Sequence, residues 1–225
     1  MTLRKDRDWG EPVNGPVDFE VAGNDAALAA AAHRHPGALV AFRPTGSDLA
    51  RALGLGESGP GEDARAPAGL ALPLDGIALD GATVPFALNL VVVGTSPAGL
   101  RATTRSTDVR VCVDGRELHR GPATTVVVAS GQFLGTADVV PRGHPGDGRL
   151  EVQVYALARR ERRALRARLP TGNHVPHPRI ATGSGRAVEV TVDGRALPVL
   201  ADGHPAGAVT RLGAAIVPGA IRLLV

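Results

Sequence analysis

The apolar positions of the chain follow two patterns. Up to about residue 55, short apolar runs alternate with stretches whose apolar residues recur three and four apart. Here "DFEVAG" and "GALVAFRP" read as strands, and "NDAALAAAAHRH" and "SDLARALGL" as helices. That order predicts parallel strands. From residue 71 the pattern becomes alternating or β-branched, as in "VRVCVDGRELH", "TTVVVAS", "LEVQVYAL" and "AVEVTVDGRALPVL". Asp-Gly pairs punctuate this part at Asp75-Gly76, Asp80-Gly81, Asp114-Gly115, Asp147-Gly148, Asp193-Gly194 and Asp202-Gly203. Both residues tolerate positive φ, so each pair predicts a tight turn between antiparallel strands.

The predicted fold class is α+β: a reduced α/β lobe over residues 1–70, then a larger antiparallel β-sandwich or barrel lobe over 71–225. The stretch "GESGPGEDARAPAG", residues 56–69, has no apolar period and reads as the linker. Two strands make a poor sheet alone, so the small lobe should lean on the large one, with "MTLRK" offering one edge strand. A further helix is predicted at "ARRERRALRARLP", residues 158–170. Leu165 and Leu169 would pack and the arginines would be solvated, because the apolar face is thin for a membrane surface.

Composition narrows the function classes. With 225 residues and 44% hydrophobic content, the chain can bury a core without staples. One cysteine, Cys112, excludes an internal disulfide, and its alternating context reads as a small buried strand residue. The N-terminus "MTLRKDRDWGEP" lacks the apolar core of a signal peptide. No run approaches the roughly 18 apolar residues of a membrane span, which predicts a cytoplasmic protein. A net charge of +3 and 3% aromatics argue against nucleic acid as a partner. His33 with His35, and His174 with His177, lack a third ligand at zinc spacing.

Two loops carry the candidate chemistry. "VAGNDAAL" at 21–28 and "PTGSDLAR" at 44–51 each follow a strand and open a helix. Parallel strands place their carboxyl ends on one side, so both loops should face one crevice. Free N–H groups at a helix start suit a phosphate or carboxylate. The candidates are Gly23, Asp25, Thr45, Gly46, Ser47 and Asp48. The same residues also suit ordinary helix caps, and both readings stand.

Gly23-Asn24-Asp25-Ala26-Ala27 is similar to a GGDGT nucleotide loop, and Pro44-Thr45-Gly46-Ser47-Asp48-Leu49-Ala50-Arg51 to a GTGNDFAR phosphate loop. The stretches "VVVASGQFLGTADVVPRGHPGDGRLEVQVY", "RLPTGNHVPHP", "LPVLADGHPAG" and "VPGAIRLLV" follow in the matching order. From about residue 18 onward the chain resembles the diacylglycerol kinase-like lipid kinases, which share a superfamily with NAD kinases. The resemblance implies a Rossmann-like nucleotide-binding lobe, ATP and Mg²⁺ as cofactors, and phosphoryl transfer to the hydroxyl of a lipid such as diacylglycerol. It allows peripheral membrane contact and a homo-oligomer.

Asp202-Gly203-His204 stands where that family has Asp-Gly-Glu, its general base, which implies Asp202 or His204 as proton acceptor. Asp147 matches an aspartate that holds a structural Mg²⁺ with backbone carbonyls, here those of His144 and Arg149; a plain tight turn is the alternative. The chain departs from the family by lacking its opening strand and helix, and by Ala26, Ala27 and His204. These departures imply reduced or lost activity, or a non-catalytic lipid- or nucleotide-binding pseudokinase acting as sensor or partner module.

Overall fold

The computed structural model describes residues 9–55 and 68–225. In chain order its strands are β1 (Glu11–Asn14), β2 (Phe19–Gly23), β3 (Leu39–Pro44), β4 (Ala68–Asp80), β5 (Phe86–Ala87), β6 (Leu90–Gly94), β7 (Thr107–Val113), β8 (Arg116–Ala123), β9 (Thr125–Ala129), β10 (Phe133–Leu134), β11 (Ala137–Asp138), β12 (Leu150–Tyr155), β13 (Ile180–Gly185), β14 (Ala187–Val192), β15 (Leu197–Ala201), β16 (His204–Val209) and β17 (Arg211–Leu224). The α-helices are α1 (Asp25–Arg34), α2 (Asp48–Ala52) and α3 (Arg162–Arg168). None among the described residues is long and apolar enough to cross a membrane.

Two antiparallel sheets face each other. A six-stranded sheet runs β13-β12-β9-β6-β15-β16, and a nine-stranded one carries the path β1-β4-β17-β14-β7-β8. The alternation read from sequence now has its cause. Val109, Val111, Val188 and Val190 from one sheet meet Val91, Val126, Val128, Val152 and Val154 from the other in a single buried core.

The parallel strands are joined directly to the large sheet. β2 pairs with β3, and β3 pairs in parallel with the end of β17, so they extend the nine-stranded sheet. β17 is 14 residues long and shifts register between Val217 and Ile221, which lets one strand serve both parts. Helix α1 covers this extension, packing Leu28, Ala29 and Ala32 with Val40, Phe42, Leu74, Leu88 and Leu223.

The structure corrects several local readings. Asp75-Gly76 lies inside β4 and makes no turn. Gly76 is required by packing, because a Cβ there would meet the Phe86 ring at 2.1 Å. Ala68 and Gly69, assigned to the linker, begin β4, while "MTLRK" and residues 56–67 lie outside the described residues. Cys112 is on a strand but only half-buried, on the outer face opposite Val111 and Val113. The basic helix buries Leu165 and Leu169 as predicted. Arg162 is buried as well, donating to the carbonyls of Leu157, Arg101 and Thr104. Several converging carbonyls replace the water that an arginine would otherwise keep.

Candidate functional site

The two loops come together. The Thr45 amide donates to the Gly23 carbonyl at 2.7 Å, and the Ser47 hydroxyl donates to Asp25. Each helix start is capped by a side chain: Asn24 Oδ1 accepts from the Ala27 amide at 3.1 Å, and Ser47 Oγ from the Ala50 amide at 2.9 Å. Gly23 and Gly46 have φ of +130° and +63°, which carry the chain out of its strands into the caps. Thr45 and Gly46 are exposed.

The hairpin between β15 and β16 reaches the same place from the other end of the sequence. Asp202 and Gly203 take φ of +49° and +78°, a left-handed pair that reverses the chain within two residues. A cleft of about 370 Å³ lies between the loops and the hairpin, lined by Asn24, Asp25, Gly46, Asp48, Asp202 and His204 among others. Five of the predicted residues, Asp25, Gly46, Asp48, Asp202 and His204, therefore line one cleft, although the chain separates the first from the last by more than 150 positions.

Geometry divides these residues by role. Asp202 is buried, with Oδ2 accepting from the Leu88 amide at 2.9 Å and Oδ1 from the Asn89 and Leu90 amides at 2.8 and 3.1 Å. Burial pushes its carboxyl up to about 7 against the pull of those N–H donors, and the charge of Asp25 adds to the rise. Asp25 is buried too, accepting from the Leu49 amide at 3.1 Å and from Asn89 Nδ2 at 3.0 Å. Burial raises it as well, opposed by the Ser47 and Leu49 hydrogen bonds. Asp48 Oδ2 accepts from the Gly135 amide at 2.7 Å, and Oδ1 faces Arg51 at 3.3 Å. Each of these carboxylates is engaged in holding segments together.

His204 is exposed and differently placed. Its Nε2 lies 2.8 Å from Asn24 Nδ2. Because Asn24 Oδ1 is committed to the helix cap, its amide must present Nδ2 as donor, and the imidazole must accept at Nε2. In this contact Nε2 is the acceptor, which leaves Nδ1 as the ring position for the proton.

Beside the cleft, and sharing Asp202 and His204 with it, runs a groove of about 290 Å³ floored by Ala26, Ala29, Ala30 and Phe86. The alanines of α1 that read as plain helix formers leave the space that makes this groove. Asn24 and Asn89 are the residues sequence reasoning passed over. Asn89 stands out in hindsight as one amide in the apolar run "FALNLVVV"; it is buried and donates to both Asp25 and the Phe133 carbonyl, the latter at 2.9 Å.

The predicted Mg²⁺ residues lie elsewhere. Asp147, His144 and Arg149 occupy the loop before β12 and line no part of the cleft. Asp147 Oδ1 accepts from the Arg149 amide at 3.0 Å, which makes it the cap of a tight turn. The neighbouring Pro145 carbonyl is taken by the Asp75 amide at 2.6 Å. Asp147 Oδ2 has no hydrogen-bond partner among the described residues, so this loop would offer a magnesium ion one carboxylate oxygen and the backbone carbonyls of His144 and Arg149. Among the described residues there is no group of three or more His, Cys, Asp or Glu that could hold a metal, and the cleft carboxylates are occupied.

The family described as the YegS C-terminal NAD kinase beta sandwich-like domain matches residues 77–225. Among curated proteins no sequence matches the chain. A diacylglycerol kinase from Bacillus anthracis str. Sterne is similar in structure, with a TM-score of 0.66 at 18% identity over 92% of this chain and 76% of that chain. Yeast NADH kinase complexed with NADH is similar with a TM-score of 0.54 at 12% identity, over 92% of this chain and 62% of that one. At such identities the two structures speak for the fold alone.

Proposed function

We propose a kinase reading from one premise: the chain belongs to the YegS C-terminal NAD kinase beta sandwich-like domain family, and so to the superfamily of diacylglycerol kinase-like and NAD kinases. In this reading a nucleotide phosphate chain enters the cleft at Gly23, Thr45, Gly46 and Ser47, and a lipid hydroxyl approaches from the apolar groove. The observation that carries the reading is the position of His204, at the junction of polar cleft and apolar groove, with Nε2 in hydrogen-bond contact with Asn24.

The acceptor hydroxyl replaces the Asn24 amide at Nε2. Its oxygen bonds to the γ-phosphorus of ATP as the bond to the β,γ-bridging oxygen breaks, ADP leaves, and the hydroxyl proton passes to His204. Asp202 acts as a positioning residue, holding the hairpin that carries His204. Among the described residues the cleft lining holds Asp25, Asp48 and Asp202 and no lysine or arginine, and Arg51 beside it is engaged by Asp48, so a triphosphate must bring its own countercharge.

The full commitment of those carboxylates favours a second reading, a non-catalytic lipid- or nucleotide-binding module. Calorimetric titration with ATP and Mg²⁺ comes first, beside Thr45→Glu, which adds bulk and negative charge at an exposed loop position. Saturable binding abolished by Thr45→Glu supports the donor site, and absence of binding at millimolar ATP overturns it. Radiolabelled ATP with mixed lipids or with NAD then separates the readings. Labelled lipid that disappears in His204→Ala supports the kinase, labelled NADP replaces the lipid acceptor with a dinucleotide, and binding without transfer leaves the module.

A further inference from the structure

A second cavity, of about 430 Å³, opens on the outer face of the six-stranded sheet, away from the cleft. Its floor is made by β12 and β13, where Glu151 and Gln153 stand opposite Ser184 and Thr182. The loops carrying Val140-Pro141 and Val175-Pro176 form apolar walls, and Arg142 stands at the mouth.

Gln153 is the informative residue. It is 4% exposed, a polar side chain in a place where such groups are hydrogen-bonded. Its Oε1 accepts from the Tyr155 hydroxyl at 2.6 Å. Tyr155 lies 3.3 Å from His174 Nε2, which is 3.0 Å from the Val139 carbonyl and therefore carries its proton there. The buried relay His174, Tyr155, Gln153 thus fixes the amide, with its oxygen inward and its Nε2 toward the cavity. Among the described residues no protein acceptor takes Nε2, and the atom is not among the fully sealed ones, so it is left to whatever fills the cavity. Two positions away on the same strand face stands the half-buried carboxylate of Glu151. Burial pushes it up, opposed by the Ser184 hydrogen bond and by the nearby charges of Arg149 and Arg142, and a cation brought alongside would further favour its ionised form.

We propose that this cavity binds a small zwitterion with an apolar side chain, of the α-amino acid class. The ammonium sits at Glu151, the carboxylate takes Gln153 Nε2 and Arg142, and the side chain lies between Pro141, Val175 and Pro176. The two charges and the unmet donor match this class in sign and order, and a purely anionic or purely cationic ligand satisfies only half of them. The site does not depend on the kinase reading, because it shares no residue with the cleft.

The test is calorimetric titration of the full chain with L-leucine, beside 4-methylpentanoate and 3-methylbutylamine, which each lack one charged group. The expected result is saturable leucine binding, with both half-ligands at least tenfold weaker. Glu151→Gln and Gln153→Met should each weaken leucine at least tenfold, and His204→Ala should leave it unchanged. Thermal unfolding checks that the variants are folded; if Gln153→Met is not, the half-buried Glu151→Gln carries the test. Absence of saturable binding at millimolar leucine, valine and phenylalanine overturns the proposal, as does binding that survives Glu151→Gln. Sedimentation that shows a dimer broken by Glu151→Gln replaces the ligand with a second copy of the chain.

Discussion

The sandwich core and the cleft are held together by opposite means. Between the sheets, valines from alternating positions of many strands form one apolar layer, and each contributes through area removed from water. At the cleft, segments distant in sequence are joined by carboxylates that accept backbone N–H groups: Asp202 for residues 88–90, Asp25 for the start of α2, Asp48 for Gly135. The core is redundant because its parts are alike. The cleft is not, because each of its carboxylates takes a different set of donors.

This difference predicts unequal responses to substitution. Asp202→Ala strands three buried amides and should destabilise by about 3 kcal/mol or more, each lost partner costing about 1–3 kcal/mol. Urea unfolding measures it, and a cost under about 1 kcal/mol would show that water replaces the carboxylate. Val152→Ala in the core leaves a small cavity and should cost about 2 kcal/mol in the same assay. A larger loss there than at Asp202 would invert the comparison.

Titration sharpens it further. The folded Asp202 carboxyl is raised to about 7 from an ordinary value near 3.8, so the folded state holds the extra proton. The contribution is fully present below about pH 4 and is lost as pH rises through about 7. Asp25 and Asp75, also raised by burial, act in the same direction. Thermal unfolding followed from pH 7 to 5 should show stability increasing on acidification. His174, lowered by burial, acts in the opposite direction over this range, and a decrease would mean that it outweighs the three carboxyls. The smallest effect is expected at the exposed His204, where replacement by Ala should change stability by no more than about 0.5 kcal/mol.

Much of the cleft was legible in the chain. Asn24-Asp25 and Ser47-Asp48 each follow a strand and open a helix, and parallel strands bring such loops to one side, so their meeting followed from local order. The motif at Asp202-Gly203-His204 was legible only through family resemblance, since any hairpin tolerates Asp-Gly. What failed was the reading of Asp as turn or site. Asp75 has the same neighbour as Asp114, yet Asp114 turns a hairpin at φ +49° while Asp75 sits buried in a strand, accepting from the Gly148 and Gly219 amides at 2.6 and 2.9 Å. Gly148 and Gly219 lie 73 and 144 positions away, and no local pattern announces a donor at that distance.

The sequence by itself determined the alternation that builds two sheets, the helix starts at Asn24 and Ser47, and the Asp-Gly turns that reverse the chain. These depend on side chains acting on their own few neighbours, through pleat, cap and positive φ. Only the tertiary structure decided that β17 joins the parallel pair to the sandwich, that Asp202 faces backbone amides while His204 two residues on faces the cleft, and that Gln153 offers an unmet donor in a second cavity. Those outcomes depend on which distant donors arrive at each carboxylate and amide, and the folded chain alone supplies that information.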